Sequence, residues 1–153
     1  RSGKLDNPDL LFRFGHAYLT GDKLKQDFKK AAKFFEKSGN LGNSEALYHL
    51  CIMHIRGEGV EKNYAKAIEY FERSGKPEHP DMLYHFGHAY LEGDGVEQNY
   101  TKAIEYFERS GNLGNLDAFR RIGLLYLEGK GVEQDTKKAF EYLQRSDSGK
   151  PKT

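Results

Sequence analysis

Apolar residues recur along this chain in short blocks that follow two alternating patterns. The first is seen at Leu10, Leu11, Phe14, Ala17 and Tyr18, and again at Leu83, Phe86 and Tyr90. Steps of three and four residues keep such positions on one side of a helix, so they predict a helix A with a buried stripe. The second pattern, Ala67, Ile68, Phe71 and their equivalents, predicts a helix B. No segment reads as a strand, and the fold class that follows is all-α.

Local signals set the ends of both helices. Helix A is expected to start after Asn7, Asn43, His79 or Asn115, with Pro8 and Pro80 at the first helical position. Asn caps an N-terminus through its side-chain oxygen, and Pro there loses no hydrogen bond. Asp9, Glu45, Asp81 and Asp117 suit the positive end of the helix dipole. A turn glycine ends helix A. Asp27, Asn63, Asn99 and Asp135 cap helix B, and Ser-Gly is expected to stop it. On its outer face Glu69 precedes Arg73, Glu105 precedes Arg109 and Glu141 precedes Arg145, in the favourable i,i+4 order.

The two patterns return at a fixed distance. KAIEYFERSG stands at 66–75 and again, unchanged, at 102–111. Gly15, Cys51, Gly87 and Gly123 share that 36-residue spacing, as do Tyr18, His54, Tyr90 and Tyr126. Four repeats result, at 7–42, 43–78, 79–114 and 115–147, with 148–153 a polar tail. Residues 1–6 align with the end of a repeat, Arg1 to Gly3 reading as a helix tail, so the chain is expected to be excised from a longer repeat protein. A pair of short helices cannot bury its apolar faces alone, so neighbouring repeats must stack into a solenoid.

The third repeat supplies Phe86-Gly87, Tyr90, Gly93, Gly95-Val96, Asn99, Lys102-Ala103 and Tyr106-Phe107. These residues resemble the Sel-1-like repeat family, related to the tetratricopeptide solenoids, and the resemblance runs through nearly the whole chain. It implies a right-handed superhelix of helix-turn-helix repeats and a role as an interaction scaffold. Two departures stand out. Helix B ends in Ser-Gly or Ser-Asp where the family has Ala-Ala, and the first turn has Lys23-Leu24 where Gly-Val is expected.

Composition narrows the function further. The 153 residues carry 24 Lys plus Arg against 23 Asp plus Glu, a net charge of +1 without a polybasic block. That balance gives no basis for nucleic-acid or membrane-surface binding, and no apolar run approaches the ~20 residues of a membrane span. The single cysteine, Cys51, allows no internal disulfide. It fits a reducing, cytoplasmic setting and leaves a secreted or lumenal one open. A mean hydropathy of −0.80 suits an elongated helical chain with much solvated surface.

Candidate chemistry is sparse. GEGV (57–60), GDGV (93–96) and GKGV (129–132) follow a helix and lack the third glycine or the Gly-Lys-Ser/Thr of phosphate loops. Glycines at a helix end and turn explain them. His49, His85 and His88 are the histidines from which a zinc site would be drawn, but stacked repeats lie about 10 Å apart and no carboxylate or Cys joins them. Cys51 occupies a small-residue column and reads as buried rather than nucleophilic. Asn99-Tyr100-Thr101 is a glycosylation sequon whose Asn is explained by capping. No cofactor, metal or catalytic residue is assigned.

Removing the core columns leaves one face of helix A. It carries Phe12, Tyr48, Tyr84 and Arg120, then Arg13, His49, His85 and Arg121, then His16, Ile52, His88 and Leu124. Arg56 follows one turn on, in a column shared with Thr20, Glu92 and Glu128. These positions share one side of the helix, and the face is aromatic and mostly basic. Aromatic and Arg side chains dominate binding hot spots. The expectation is therefore a non-catalytic scaffold whose concave A-helix face takes a protein or peptide with acidic or aromatic anchors. The alternatives are a hydrolase-like or ligand-binding repeat protein acting on cell-wall-type molecules, and a His-dependent metal- or pH-sensitive module.

Overall fold

The computed structural model describes residues 6–75 and 79–149. They form eight helices: α1 (Pro8–Thr20), α2 (Phe28–Asn40), α3 (Ser44–Arg56), α4 (Tyr64–Ser74), α5 (Pro80–Glu92), α6 (Tyr100–Asn112), α7 (Leu116–Glu128) and α8 (Thr136–Asp147). Odd numbers are A helices and even numbers B helices, and among the described residues no strand occurs. The expected helix tail at 1–3 and positions 150–153 of the polar tail lie outside the described residues.

The chain divides into two compact units, residues 1–77 and 78–153. Unit 1 holds α1 to α4 and unit 2 holds α5 to α8. Inside each unit every A helix packs on its own B helix, and the first B helix packs on the second A helix, α2 on α3 and α6 on α7.

Most helix ends form as their residues require. Asp27, Asn63, Asn99 and Asp135 each accept the backbone N–H three residues on, at 3.0 Å. Gly21, Gly57, Gly93 and Gly129 close the A helices in the left-handed conformation. At the A-helix starts, Asn7 caps Asp9 and Leu10, and Asn43 caps Ala46. Asn115 departs from expectation. It makes no side-chain cap and donates instead to Asp81 at 3.2 Å. His79 makes no side-chain cap either.

Ser-Gly stops only one of the B helices that carry it. α4 ends at Ser74 with left-handed Gly75, but α2 and α6 run through Ser-Gly to Asn40 and Asn112. The reason is the packing of the following A helix. A Cβ at Gly39 would lie 2.6 Å from Leu47, and one at Gly111 2.5 Å from Phe119, so these glycines serve close approach within the helix. The left-handed turn moves on to Gly42 and Gly114.

Phe35, Phe71 and Phe107 from the B helices are fully buried, beside Leu50, Phe86 and Ile122 from the A helices. Burying each such side chain contributes about 1.5–3 kcal/mol. Two residues expected inside lie on the surface. Phe14 is 42 % exposed and Phe140 is 62 % exposed. Phe14 stacks on the Phe34 ring of α2 at 5.5 Å, while its equivalent Leu50 on α3 is buried in the core formed with α2.

An aromatic pair stacks in each repeat: Tyr18 on Phe34, His54 on Tyr70, Tyr90 on Tyr106 and Tyr126 on Tyr142. Lys30, Lys102 and Lys138 lie over the A-helix ring of their repeats, and Arg73, Arg109 and Arg145 over the B-helix ring. The charges of the B helices thus lie against rings as well as solvent. Arg73 also pairs with Glu69 at 3.9 Å, an exposed contact worth about 0–1 kcal/mol. Arg145 does not follow the expected pairing with Glu141. It lies 4.0 Å over Phe119 and donates to Asn112 at 3.0 Å.

Candidate functional site

The face read from the sequence lies on the four A helices, two in each unit. All thirteen of its residues are exposed or half-buried, and none belongs to the core. Unit 1 contributes Phe12, Arg13 and His16 from α1 with Tyr48, His49, Ile52 and Arg56 from α3. Unit 2 contributes Tyr84, His85 and His88 from α5 with Arg120, Arg121 and Leu124 from α7.

In unit 1, Phe12 and His49 pack on the ring of Phe35, and His16 packs on both Phe12 and His49. His49 stacks on the Phe35 ring at 4.9 Å, nearly parallel, and Phe12 lies 5.6 Å from both rings. His16 meets His49 edge-on at 6.1 Å. Burial, and then the neighbouring His16, hold the His49 imidazole below its ordinary pKa. Half-buried Tyr48 is pushed above the usual phenol value, chiefly by burial. A cavity of ≈ 570 Å³ opens beside this cluster, lined by Leu10, Phe14, Ala17 and Leu24, with Arg13, His16 and His49 along it.

In unit 2 the same positions make a more polar surface. Tyr84 packs edge-on against His88 at 4.7 Å and lies 5.6 Å from Phe107. The Arg121 Nε donates to the Tyr84 hydroxyl at 3.3 Å. Burial first, then Arg121, lowers the His88 pKa, with Glu92 acting against them. A cavity of ≈ 510 Å³ is bordered by Glu92, Arg121, Glu128 and Lys130, with Leu124 and Tyr100.

His49 has His16 as its imidazole neighbour, while His85 and His88 flank Tyr84 on α5. Among the described residues no three His, Cys, Asp or Glu side chains come together to hold a metal ion. Cys51 is fully buried on α3, and burial pushes its thiol up to about 12, far from the thiolate that attacks electrophiles. His54 is buried as well, its Nδ1 3.1 Å from the Glu61 carbonyl. Asn99 uses its Oδ1 to cap α6. Among the described residues no helix is long and apolar enough to cross a membrane.

Sequence reasoning missed the exposure of Phe14 on α1, because apolar residues at helical spacing read as core. In the same repeat, Lys23 occupies the column that holds Gly59, Gly95 and Gly131 in the later repeats.

Four helix pairs at one spacing, with helix B identical in the second and third repeats and variable exposed A-helix faces, define an all-α helical repeat protein. A family model of the Sel1 repeat matches residues 8–43, 44–76, 80–115 and 117–146, and the chain belongs to that family. Sel1 repeat proteins are generally protein-interaction scaffolds. The fold is similar to that of a Sel1 repeat protein from Oxalobacter formigenes, with a TM-score of 0.73 and 25 % identity over 95 % of this chain and 60 % of that one. It is also similar to c5321, a protective antigen of uropathogenic Escherichia coli strains with an SLR fold, at a TM-score of 0.69 and 26 % identity over 92 % of this chain and 30 % of that one. MamA shares the fold at a TM-score of 0.57 and 22 % identity, over 95 % of this chain and 79 % of MamA. This chain therefore spans less than two thirds of the first two proteins. No curated protein sequence matches it.

Proposed function

We propose that the chain is a non-catalytic interaction module that holds a protein or peptide partner on its A-helix faces. One contrast carries this reading. Helix B recurs to the letter at 66–75 and 102–111, whereas between the same two repeats Ile52 gives way to His88 and Arg56 to Glu92, and over all four repeats every exposed A-helix column varies. A scaffold needs constancy where repeats pack and variation where they meet a partner. The aromatic and Arg content of the faces supports the same reading, since such side chains anchor interfaces at low entropic cost. Basic groups on the faces favour acidic or aromatic anchors in the partner.

The test combines Tyr84→Ala with Arg121→Glu, which removes the hydrogen-bonded pair and reverses one charge. Circular dichroism is expected to show an unchanged helical fold. Affinity purification with mass spectrometry is expected to lose the partners that the unaltered chain retains. An unchanged partner set on a folded variant would refute the assignment of this face.

A further inference from the structure

The outer face of α2 differs in charge from that of every other B helix. Before helix B, the later repeats carry Glu61, Glu97 and Glu133 in one column, and on its outer face Glu69, Glu105 and Glu141 in another. In the first repeat both columns reverse sign, to Lys25 and Lys33. Lys29 and Lys37 stand one helical turn to either side of Lys33, so α2 carries three lysines in line where α4 carries Ala65, Glu69 and Arg73. A four-residue step rises about 6 Å along a helix and keeps such side chains on one side.

The line lies opposite the core. α2 buries Ala31, Ala32, Phe35, Ser38 and Gly39, and leaves Lys29, Lys33 and Lys37 exposed. A preceding repeat does not cover these columns. α4 and α8 each follow another repeat within their own unit, and their matching residues are still exposed. The one carboxylate within α2, Glu36, lies to the side, where it borders a cavity with Tyr70 of α4.

The lysines are not engaged within the chain. Their last-turn equivalents elsewhere are held: Arg73 pairs with Glu69 and donates to Asn40, and Arg145 donates to Asn112. Among the described residues no carboxylate pairs with Lys29, Lys33 or Lys37. Like charges at i,i+4 destabilise a helix about as much as a Glu–Lys pair supports it. Lys29 also stands in the first turn, where the helix dipole favours an acid. The strip thus works against α2 itself, and an anionic ligand would relieve that repulsion.

Three features select among anionic ligands. The strip has lysines and no arginine, so it offers point charges without the planar fork that grips phosphate. No aromatic side chain shares the line, so nucleic-acid bases find no stacking platform. The apolar face of α2 is packed inside unit 1, which leaves nothing to insert into a bilayer. We propose that α2 docks an acidic segment of a protein partner, in which Asp or Glu recurs at the four-residue step of a helix and meets Lys29, Lys33 and Lys37. This surface is separate from the A-helix faces and does not depend on them.

The test titrates the full chain, at physiological salt, with a labelled alanine-based helical peptide carrying Glu at every fourth position. Saturable binding is expected, with shifted amide resonances at Lys29, Lys33 and Lys37. Lys33→Glu restores the charge order of Glu69 and Arg73, so its melting temperature should rise while its affinity for the peptide falls about tenfold. Exchanging the peptide's Glu for Lys should restore binding to a variant with all three lysines replaced by Glu. Tighter binding of oligothymidylate or of phosphatidylserine vesicles than of the peptide would overturn the assignment to a protein partner. Indifference to Lys33→Glu, a lowered melting temperature in that variant, or no binding would overturn the strip. So would shifts confined to the A helices, which would leave the A-face reading intact.

Discussion

Units 1 and 2 are built on the same frame and present different faces. Ser38 donates to the Pro8 carbonyl at 2.6 Å, and Ser110 to that of Pro80 at 2.6 Å. Asn43 reaches Asp9 across 34 residues, and Asn115 reaches Asp81 in the same way. Arg73 donates to Asn40 in one unit and Arg145 to Asn112 in the other. Against this constancy, His49 becomes Arg121, Thr20 becomes Glu92 and Arg56 becomes Glu128. Contacts that hold repeats together tolerate little change, because each buried polar group needs its partner. Exposed residues such as Arg13, His85 and Arg120 on the A-helix face are not in that position, and on the proposed reading they vary with the partner.

The largest test of the shared frame is loss of its buried rings. Phe35→Ala and Phe107→Ala should each cost about 3–5 kcal/mol in chemical denaturation. Matching losses would support equivalent units, and a loss in one unit alone would break the comparison.

A smaller effect separates the first turn from its equivalents. Gly59→Ala, which forces a Cβ against the Phe28 backbone at positive φ, should destabilise by roughly 1–3 kcal/mol. Lys23→Gly should stabilise by about 1 kcal/mol, because it releases a side chain from the left-handed region. A destabilising Lys23→Gly would show that the lysine is held there by contacts that offset its strain.

Next come the buried serines. Ser38→Ala and Ser110→Ala each remove a donor from a proline carbonyl and should cost about 1 kcal/mol apiece.

The smallest effect is a dependence on pH. His49 and His88 are both held below the ordinary 6.5, so below that pH the unfolded chain binds protons that the folded chain does not. Their contribution to stability is fully present above about 6.5 and is lost as pH falls from there. His49→Phe should flatten part of the melting-temperature profile between pH 5.5 and 7.5, and His88→Phe a further part. A profile unchanged by both would contradict the burial of these rings.

Much of the fold was legible because columns of small and aromatic residues fall at one spacing, and each column has a single physical task. The pairing of repeats was harder to see. The segments between helices read SGNLGN at 38–43 and 110–115 but SGKPEHP at 74–80. Left-handed Gly42 and Gly114 stand where the sequence has Asp6 and Glu78. A frame of 36 averages over this alternation. The exposure of the A-helix faces was legible by subtraction, since residues outside the core columns stay at the surface. The exposure of Phe14 was not. Phe14 lies in a column whose other members, Leu50, Phe86 and Ile122, are buried.

The most direct test is hydrogen–deuterium exchange on the full chain, free and bound to a peptide or protein that it captures. Reduced exchange on α1, α3, α5 and α7, with α4, α6 and α8 unchanged, is the predicted result. Protection on the B helices with unaltered exchange on the A helices would contradict it.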